Sequence, residues 1–364
     1  MDKKNCQKKA MQKRNILVTA VGGRSVGSGI LHSLMRTSEE VKRRWNVIAS
    51  DCDPFAWGLY VADQSTLLPS ADSPNYLEAL SKIIEKFQIK AIIPGSEAEV
   101  YVLSKNKDKI PVPVVCNRAD LMPLMSDKFQ MVEKLKELEL PIIETYPLRE
   151  WEEVLKKHDF PFIIKPTRKT GGSRGLHIVF SREEIQELVS ELQDAATEAE
   201  YGHCIQPYIG SQDQEYSVGV LSDTKGNLID SIIMHRKLSG LSLFQSTKHN
   251  GKTYAISSGY SQGFFIKHPQ VQKFCEDLAI TLRSEGPLNI QLRIHEGKIY
   301  VFELHARFSG SSTMRADVGF NEPDILLRDI LDNERFGRLN YKNNVAVIRA
   351  FEHVVVPIDK MIHP

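Results

Sequence analysis

Residues 287–315, PLNIQLRIHEGKIYVFELHARFSGSSTMR, decide the fold because they form two strand-like halves around a short turn. Apolar and polar residues alternate along both halves, and a period of two predicts β-strands. The apolar positions are Leu288, Ile290, Leu292 and Ile294 in the first half and Tyr300, Phe302, Leu304 and Ala306 in the second. Gly297 lies between them as the natural left-handed residue of a turn, so we expect an antiparallel hairpin.

The length of the turn decides which side chains share a face. A two-residue loop at Glu296 and Gly297 would place Gln291 and Glu303 on opposite faces and move one apolar set out of the core. A three-residue loop ending at Gly297 keeps both apolar sets together, and this is the loop we expect. The other face then carries Asn289, Gln291, Arg293, Glu303, His305 and Arg307.

This polar face offers oxygen donors to a cation. Alternate residues of a strand stand roughly 6–7 Å apart, so its carboxylate, amides, imidazole and guanidiniums are expected to lie close together. Mg²⁺ takes one or two carboxylates and completes its shell with waters and substrate phosphates. A solvated sheet face of mixed charge fits the same pattern and remains the alternative.

The hairpin also resembles the metal-binding end of ATP-grasp enzymes, in the branch of carbamoyl-phosphate synthetase. The run NIQ, an acidic-Gly turn, YVFEL and then Arg307-Phe308-Ser309-Gly310 carries this resemblance. The usual order in the family is Gln, Glu and then Asn-Pro-Arg, and Gln291, Glu303 and Arg307 match it. His305 and Ala306 stand where the family has Asn and Pro.

The resemblance implies a set of site residues and a cofactor. Gln291, Glu303 and His305 are the implied metal ligands, and Arg307, Lys165 and His305 are the implied catalytic residues. Because an imidazole binds softer ions better than it binds Mg²⁺, His305 makes Mn²⁺ an alternative metal. His305 alternatively contacts phosphate or acceptor as a hydrogen-bonding or acid–base group, and this second role is the one we favour.

Composition indicates a globular chain of two or three domains with no global attraction for nucleic acid. The 364 residues are 41% hydrophobic and 26% charged, and 47 basic against 46 acidic side chains leave a formal charge of +1. The five cysteines are odd in number and form no CxxC pair, which is typical of free thiols in a reducing compartment. No apolar run approaches the roughly 20 residues of a membrane span. We therefore expect a cytoplasmic protein without nucleic-acid or membrane partners.

The N-terminal third alternates strands and helices. A strand at residues 15–20 leads through a Gly-rich turn into a helix near Ser28, and further strands are expected at 46–50, 91–94 and 112–116. This order predicts an α/β fold with a doubly wound parallel sheet. It resembles the Rossmann-like preATP-grasp domain of the same family. The Gly-rich turn is compatible with a ligand site and equally with a role only in close packing of helix against strand.

Two lysines precede the hairpin at positions where the family contacts nucleotide phosphates. Lys128 opens a helix capped by Ser126 or Asp127, and Lys165 ends a strand at residues 162–166. A basic, Gly-rich hairpin loop follows, and such a loop can close over phosphates or be merely a mobile turn. The resemblance assigns the phosphate-covering role to Gly171, Gly172, Ser173 and Gly175.

The remaining binding residues also come from the resemblance. The interdomain hinge would hold adenine through main-chain and apolar contacts, and Glu215 would take the ribose hydroxyls. The hinge residues are Gln206, Pro207, Tyr208 and Ile209. Arg236 and Lys237 precede a long polar stretch at residues 238–262, which we expect to be a substrate-side loop with these two residues as anion contacts.

We therefore expect four segments and one function. Residues 1–14 form a flexible basic tail, 15–120 the preATP-grasp domain, 121–208 the N-terminal part of the ATP-grasp fold and 209–364 its C-terminal catalytic part. These two parts are expected to be α+β subdomains. The expected function is ATP-dependent ligation of a small-molecule carboxylate to an amine or other nucleophile through an acyl phosphate, with release of ADP and phosphate. A nucleotide-binding module without turnover and a carboxylate kinase are the alternatives, and a homodimer is a further expectation.

Overall fold

The computed structural model describes residues 13–23, 26–168, 175–194 and 202–362, and of residues 193 and 194 only the backbone. The chain divides into two compact units. The first contains the described residues through Cys116, together with Asn321–Arg335 and the described residues from His353 onward. The second contains the described parts of Asn117–Phe320 and Phe336–Glu352. The expected basic tail lies outside the described residues except for its last two positions.

The first unit is built on a four-stranded parallel sheet of order β3-β2-β1-β4, which confirms the expected α/β architecture. Continuous apolar runs such as Ile16, Leu17 and Val18 are fully buried, as a sheet covered by helices on its faces requires. The expected strand at 112–116 is reduced to a single bridge between Ile92 and Val114. The elements are β1 (Arg14–Thr19), α1 (Val26–Met35), α2 (Glu39–Arg44), β2 (Trp45–Asp51), β3 (Gln64–Leu67), α3 (Tyr76–Phe87), β4 (Ala91–Ile93) and α4 (Glu97–Lys105).

The second unit begins with a small antiparallel sheet of order β5-β8-β6-β7. Its apolar side packs into a core that includes Trp151, Phe162, Ile164 and Ile185. Asp127 caps the helix that begins at Lys128 by accepting hydrogen bonds from two main-chain amides, which selects it from the two expected caps. The elements are α5 (Met122–Ser126), α6 (Lys128–Glu137), β5 (Tyr146–Pro147), α7 (Trp151–Val154), β6 (Phe162–Pro166), β7 (His177–Val179), α8 (Arg182–Asp194) and β8 (His203–Pro207).

A six-stranded antiparallel sheet of order β15-β14-β9-β10-β13-β16 forms the larger part of the second unit. The long stretch expected as a loop at 238–262 instead contains the paired strands β11 and β12, because Thr, Ile, Tyr and Phe alternate there with polar residues. The elements are β9 (Glu215–Ser222), β10 (Leu228–Arg236), β11 (Leu243–His249), β12 (Lys252–Ser257), β13 (Gly263–Ile266), α9 (Pro269–Thr281), β14 (Pro287–His295), β15 (Lys298–His305), α10 (Ser312–Asp317), α11 (Glu322–Asp332) and β16 (Val345–Val347).

Helix α11 belongs to the first unit, although its sequence position lies beyond the hairpin of β14 and β15. It contacts α1, and the Asp324 carboxylate accepts a hydrogen bond of 2.7 Å from the buried indole of Trp45. The expected division at residue 209 takes no account of this return of the chain, because an amphipathic helix does not reveal from its own sequence which sheet it covers.

The hairpin of β14 and β15 has the expected polar face at Gln291 and Glu303 but not the expected turn, and in the first half of β15 the buried residues are Ile299 and Val301 instead of the expected Tyr300 and Phe302. His295 pairs with Lys298, so the loop consists of Glu296 and Gly297 alone, and both have positive φ angles of 47° and 73°. These angles are typical of a type I′ turn, whose twist matches that of the flanking strands. The expectation of a three-residue loop is therefore wrong.

A β-bulge in the second strand compensates for the even loop. Gln291 pairs with Glu303 and Leu292 pairs with Val301, so Phe302 is an extra residue between these two pairs. One inserted residue shifts the alternation by one position. Gln291 and Glu303 consequently lie on the same face, and Asn289 lies opposite His305 on that face as well.

Candidate functional site

A pocket in the second unit is lined by residues of both its larger sheets and by the hairpin β11–β12. The lining combines two lysines, two carboxylates and two amides with apolar side chains, as in a site that holds a polar ligand with an apolar portion. It contains Lys128, Ile143, Ile163, Lys165, Leu176, Gln206, Pro207, Ile209, Glu215, Ala255, Ile256, Ser257, Gln291, Arg293, Phe302 and Glu303. Eight of the residues expected from the sequence are thus brought together.

The two lysines supply positive charge at one end of this lining. Lys165 is only 8% exposed at the end of β6, and burial lowers its pKa to about 8, with the charge of Lys128 acting in the same direction. Lys128 is placed by the first turn of its helix, where its main-chain amide donates to the Thr167 carbonyl. Two cations held this close repel each other, so the site favours an anionic ligand.

Glu303 provides the opposing charge. Burial alone would raise its pKa, but His305, Lys128 and Lys165 hold the pKa at about 2. Its Oε2 atom accepts hydrogen bonds from Gln291 Nε2 at 2.5 Å and from His305 Nε2 at 3.2 Å. Among the described side chains none donates to Oε1, so Oε1 is the oxygen left for a cation.

His305 links Glu303 to Arg307. The Arg307 Nη2 atom lies 3.3 Å from His305 Nδ1, and since a guanidinium can only donate, Nδ1 must accept and the ring proton lies on Nε2. The second guanidinium nitrogen of Arg307, Nη1, donates to the Phe308 carbonyl at 2.8 Å. Both imidazole nitrogens are therefore engaged, and neither offers a lone pair to a metal in this arrangement.

The donor set fits a metal ion that takes most of its ligands from elsewhere. Among the described residues no three His, Cys, Asp or Glu side chains are grouped to hold a metal by themselves. Glu303 offers one carboxylate oxygen, and the Oε1 atom of Gln291 accepts from Arg236 at 3.1 Å while keeping a second lone pair. Mg²⁺, which keeps several waters and binds substrate phosphates, suits this set.

Glu215 lies in a buried network with two arginines. Its Oε1 atom accepts from Arg236 Nη1 at 2.7 Å, and its Oε2 atom accepts from Arg293 Nη2 at 2.9 Å. Pairing with two guanidiniums offsets the cost of burying the three charges. The carboxylate still lines the pocket, and one of its lone pairs, on Oε1, remains for a further hydroxyl donor.

Arg236 lies behind the pocket and does not line it. Its side chain is 2% exposed, and its Nη2 atom donates to the Tyr260 carbonyl at 2.9 Å. Its Nη1 atom bonds Glu215 and Gln291, whereas its Nε atom is buried without a hydrogen-bond partner among the described residues. Lys237 is 57% exposed and lies 3.7 Å from an Asp213 carboxylate oxygen, also outside the pocket lining.

The hinge residues divide between lining and support. Gln206, Pro207 and Ile209 line the pocket, and the Gln206 amide donates to Thr145 at 2.6 Å. The Tyr208 hydroxyl is bonded to the main chain of Ala255, and its ring lies under the guanidinium of Arg293, 4.6 Å from the ring centroid. Tyr208 therefore connects β12 to the hinge.

Most of the expected phosphate-covering loop cannot be placed. Gly171, Gly172 and Ser173 lie outside the described residues, whereas Gly175 is described and has a φ angle of 67°. The chain just before this loop is fixed, because Arg168 forms a 2.6 Å ion pair with Asp127, the cap of the helix that begins at Lys128. One contact thus joins the base of the loop to a lysine of the pocket.

Eight of the sixteen lining residues were not identified as site residues from the sequence, and two of these, Arg293 and Phe302, belong to the hairpin of β14 and β15. Arg293 was expected on the polar face without a role, and it forms the wall between Glu215 and Tyr208. Phe302 was expected in the core, but the bulge turns it into the pocket, where it lies 5.9 Å from the Arg293 guanidinium. A periodicity cannot reveal a bulge, so no signal in the sequence predicted this position.

Comparison with known proteins matches both parts of the chain. The family model described as "Carbamoyl-phosphate synthase L chain, ATP binding domain" matches residues 127–319, which is more than half of the chain. The model described as "PylC-like, N-terminal domain" matches residues 16–115. No helix among the described residues is long and apolar enough to span a membrane.

Individual relatives are distant. The arginine-specific large chain of carbamoyl phosphate synthase from Geobacillus stearothermophilus is 23% identical over 313 residues, which are 83% of this chain and 28% of that protein. The chain therefore spans little more than a quarter of that relative. Biotin carboxylase from Campylobacter jejuni is similar in structure with a TM-score of 0.63 and 17% identity, over 91% of this chain and 74% of that one. N5-carboxyaminoimidazole synthetase from Staphylococcus aureus is similar in structure with a TM-score of 0.64 and 13% identity, over 91% of this chain and 81% of that one.

Proposed function

Because the chain belongs to the ATP-grasp superfamily, in the family of the carbamoyl-phosphate synthase L chain ATP-binding domain, we propose that it is an ATP-dependent ligase. The γ-phosphoryl group of ATP passes to a carboxylate oxygen of a small substrate, which gives an acyl phosphate and ADP. An amine then attacks the acyl carbon, phosphate leaves, and a C–N bond has formed. The proposal agrees with the names of proteins to which the chain is similar, which include carbamoyl phosphate synthase and N5-carboxyaminoimidazole synthetase.

One observation carries the proposal: two lysines and one strongly acidic carboxylate line the same pocket as several apolar side chains. Lys165, Lys128 and Glu303 interact electrostatically with one another, and Ile163, Ile256 and Ile209 contribute to the apolar lining. A purine needs an apolar slot, and a triphosphate needs cations and a metal ion. The lining offers both in one cavity.

The residues divide the work by charge. Lys128 and Lys165 bind the phosphates and stabilise negative charge during transfer. Glu303 and Gln291 would hold Mg²⁺, which when bound supplies electrostatic stabilisation of the phosphoryl oxygens. Glu215 accepts a ribose hydroxyl, and Gln206, Pro207 and Ile209 contact the base.

His305 and Arg307 act beside the metal ligands in this proposal. His305 keeps Glu303 and Arg307 in one hydrogen-bonded row, and Arg307 presents its guanidinium to the transferred phosphoryl group or the acyl phosphate. Arg236 holds Glu215 and Gln291 in place and is not assigned to the substrate. Lys237 and Gly171, Gly172, Ser173 and Gly175 stay predictions for substrate and phosphate contact. Cytoplasmic location, a homodimer and the absence of nucleic-acid and membrane partners likewise stay predictions.

The experiment that tests the proposal measures ADP release from MgATP in the presence of paired carboxylates and amines. We expect ADP to form only when a carboxylate is present, and the product to contain an amide or a related C–N bond by mass spectrometry. Tight nucleotide binding without ADP release from any pair would favour a binding module. Trapping by hydroxylamine without an amine requirement would identify a carboxylate kinase instead.

Glu303→Gln is the first prediction that follows, with Glu296→Gln as its matched control on the same hairpin. Glu303→Gln keeps the shape but removes the metal-binding charge, so we expect turnover to fall at least 100-fold while the melting temperature changes little. Glu296 is 83% exposed at the turn, and its variant is expected to behave as wild type. Turnover of Glu303→Gln within a few-fold of wild type would contradict the metal-site assignment.

A further inference from the structure

A cationic side chain, Arg349, lies beside residues 307–310, which follow β15 in the second unit. Arg349, two residues after β16, donates from Nη2 to the Gly310 carbonyl at 2.6 Å and from Nε to the Ser261 carbonyl at 3.2 Å. Gly310 follows Arg307 by three residues, so the two arginines hold opposite ends of one short segment.

Arg349 has no carboxylate partner among the described residues. Its hydrogen bonds go to backbone carbonyls, and its guanidinium lies 5.7 Å from the centroid of the Tyr260 ring. Burial lowers the pKa of Arg349, and only the Tyr260 hydroxyl opposes this shift. Two of the five guanidinium N–H groups are used, which leaves three donors for an external anion. A half-buried cation without a counter-ion is costly, so a bound carboxylate would be stabilising.

The position of Arg349 relative to Arg307 suits a small molecule with two anionic ends. Arg307 bonds the Phe308 carbonyl and Arg349 bonds the Gly310 carbonyl, two residues further along. The two guanidiniums are thus anchored to carbonyls of one short segment, whose Cα atoms two residues apart are separated by at most about 7.6 Å. A short dicarboxylate is the class of ligand that two cations anchored to neighbouring carbonyls suit.

Aromatic side chains flank Arg349 and complete the surface. The rings of Tyr260 and Phe351 meet edge to face at 5.7 Å, and Phe351 is 66% exposed. The main chain of Tyr260 is held by Arg236, which also bonds Gln291 of the proposed metal site. Arg236 therefore connects Tyr260 to the face of β14 that carries Gln291. The rings of Tyr260 and Phe351 offer apolar contact for the carbon chain of a ligand.

We propose that Arg349 is the receptor for a second carboxylate on the ligase substrate. The substrate class is then a short dicarboxylate, amino acids with two carboxylates included: one carboxylate is activated beside Arg307 and the other pairs with the three remaining N–H groups of Arg349. This inference rests on the proposed function and narrows its substrate.

The test compares matched ligands on the full chain in the presence of Mg²⁺ and a non-hydrolysable ATP analogue. Calorimetry measures the Kd values of succinate against butyrate, glutarate against pentanoate and L-glutamate against L-glutamine. We expect wild type to bind at least one diacid tenfold or more tightly than its counterpart. In Arg349→Gln this ratio falls to near one, while the Kd of the ATP analogue and of the counterpart stays within twofold.

The control is Arg149→Gln, the same substitution at a side chain that is 82% exposed in the same unit. This variant is expected to keep the wild-type ratio of Kd values. Arg349→Lys keeps the charge but not the forked geometry, and we expect it to give an intermediate ratio. Arg349→Lys also serves if Arg349→Gln melts at a lower temperature. A wild-type protein that binds the ATP analogue without preferring any diacid overturns the inference, as does a preference that survives Arg349→Gln and Arg349→Lys. Failure to bind the ATP analogue counts separately, against the proposed function.

Discussion

In the proposed function Lys165 contacts the nucleotide phosphates, and its environment makes the charge of this side chain sensitive to mild alkali. Burial is the main cause of its pKa of about 8, and the nearby charge of Lys128 adds to it. Near neutral pH the side chain is protonated, whereas at pH 9 most of it is neutral in the free protein. A bound polyanion favours the protonated form, so the pKa must rise on binding.

We therefore predict that nucleotide affinity falls as pH rises above about 8. Below that pH, Lys165 is charged in both free and bound protein and affinity is flat. Above it, binding must take up a proton, and linkage allows a loss of up to about tenfold per pH unit. Calorimetry in buffers of different ionisation enthalpy measures both the affinity and the proton uptake.

The controls for this pH dependence are two substitutions at the same position. Lys165→Met removes the titrating group and should give weaker but pH-independent affinity, and Lys165→Arg should keep the affinity of a permanently charged side chain across the range. A wild-type affinity that is constant from pH 7 to 9.5 would show that Lys165 does not contact the phosphates.

His305 departs from the family pattern, and its contacts favour one of the two roles left open by the sequence. Its Nε2 faces Glu303 and its Nδ1 faces Arg307, so we predict that it acts as a hydrogen-bonding link and not as a second metal ligand. For His305→Asn we predict a fall in Mg²⁺-supported kcat of about tenfold or more, because an amide is too short to keep both neighbours. The ratio of Mn²⁺-supported to Mg²⁺-supported rates should stay unchanged.

The measurement for His305 is steady-state kinetics with each metal over a range of metal concentrations. His305→Gln, whose longer amide reaches further, is the matched variant and should retain more of the rate. A gain in Mg²⁺-supported rate for His305→Asn, together with a lost Mn²⁺ preference, would mean that the imidazole is a metal ligand after all.

At the scale of the element, the hairpin shows what alternation can and cannot predict. The burial of Ile290, Leu292 and Leu304 required Gln291 and Glu303 to share the opposite face, and that deduction is confirmed. The predicted loop length was wrong, because two different features can place Gln291 and Glu303 on one face: a loop with an odd number of residues, or a two-residue loop followed by a β-bulge. Strand twist favours the two-residue turn, and the extra residue is then placed at Phe302.

The turn itself provides a prediction of stability. Glu296 has a φ angle of 47°, which is unfavourable for most residues with a Cβ atom, less so for Asn, and not for Gly. We expect Glu296→Asn, which creates the Asn-Gly sequence preferred in type I′ turns, to raise the free energy of unfolding by about 0.5–1 kcal/mol. Denaturant unfolding measures the change. Glu296→Gln, which keeps the strain, should leave stability unaltered, and a destabilised Asn variant would contradict the turn assignment.

At the scale of the molecule, local patterns predicted the elements better than their assembly. Helix α6, with Ser126 or Asp127 as its cap, and the parallel sheet of the first unit follow from short-range signals, and the structure selects Asp127. The return of α11 to the first unit and the buried Glu215–Arg236 pair join residues far apart in sequence. Arg236 is expected from the sequence as an anion contact because it precedes a long polar stretch, and only the tertiary fold reveals the carboxylate with which it pairs.

The division into two units leads to the last prediction. Every residue that lines the pocket belongs to the second unit, from Lys128 to Glu303. A nucleotide at 100 times its Kd stabilises the state that binds it by about 2.7 kcal/mol. Amides of β9, β14 and β15 that exchange only when the second unit opens should then exchange about 100-fold more slowly. Amides of β1, β2 and β4 should keep their nucleotide-free rates.

Hydrogen exchange followed by mass spectrometry measures both sets in one sample, and Lys165→Met at the same nucleotide concentration should show much weaker protection. Equal slowing in both units would mean that the first unit also binds the nucleotide or that the two units unfold as one.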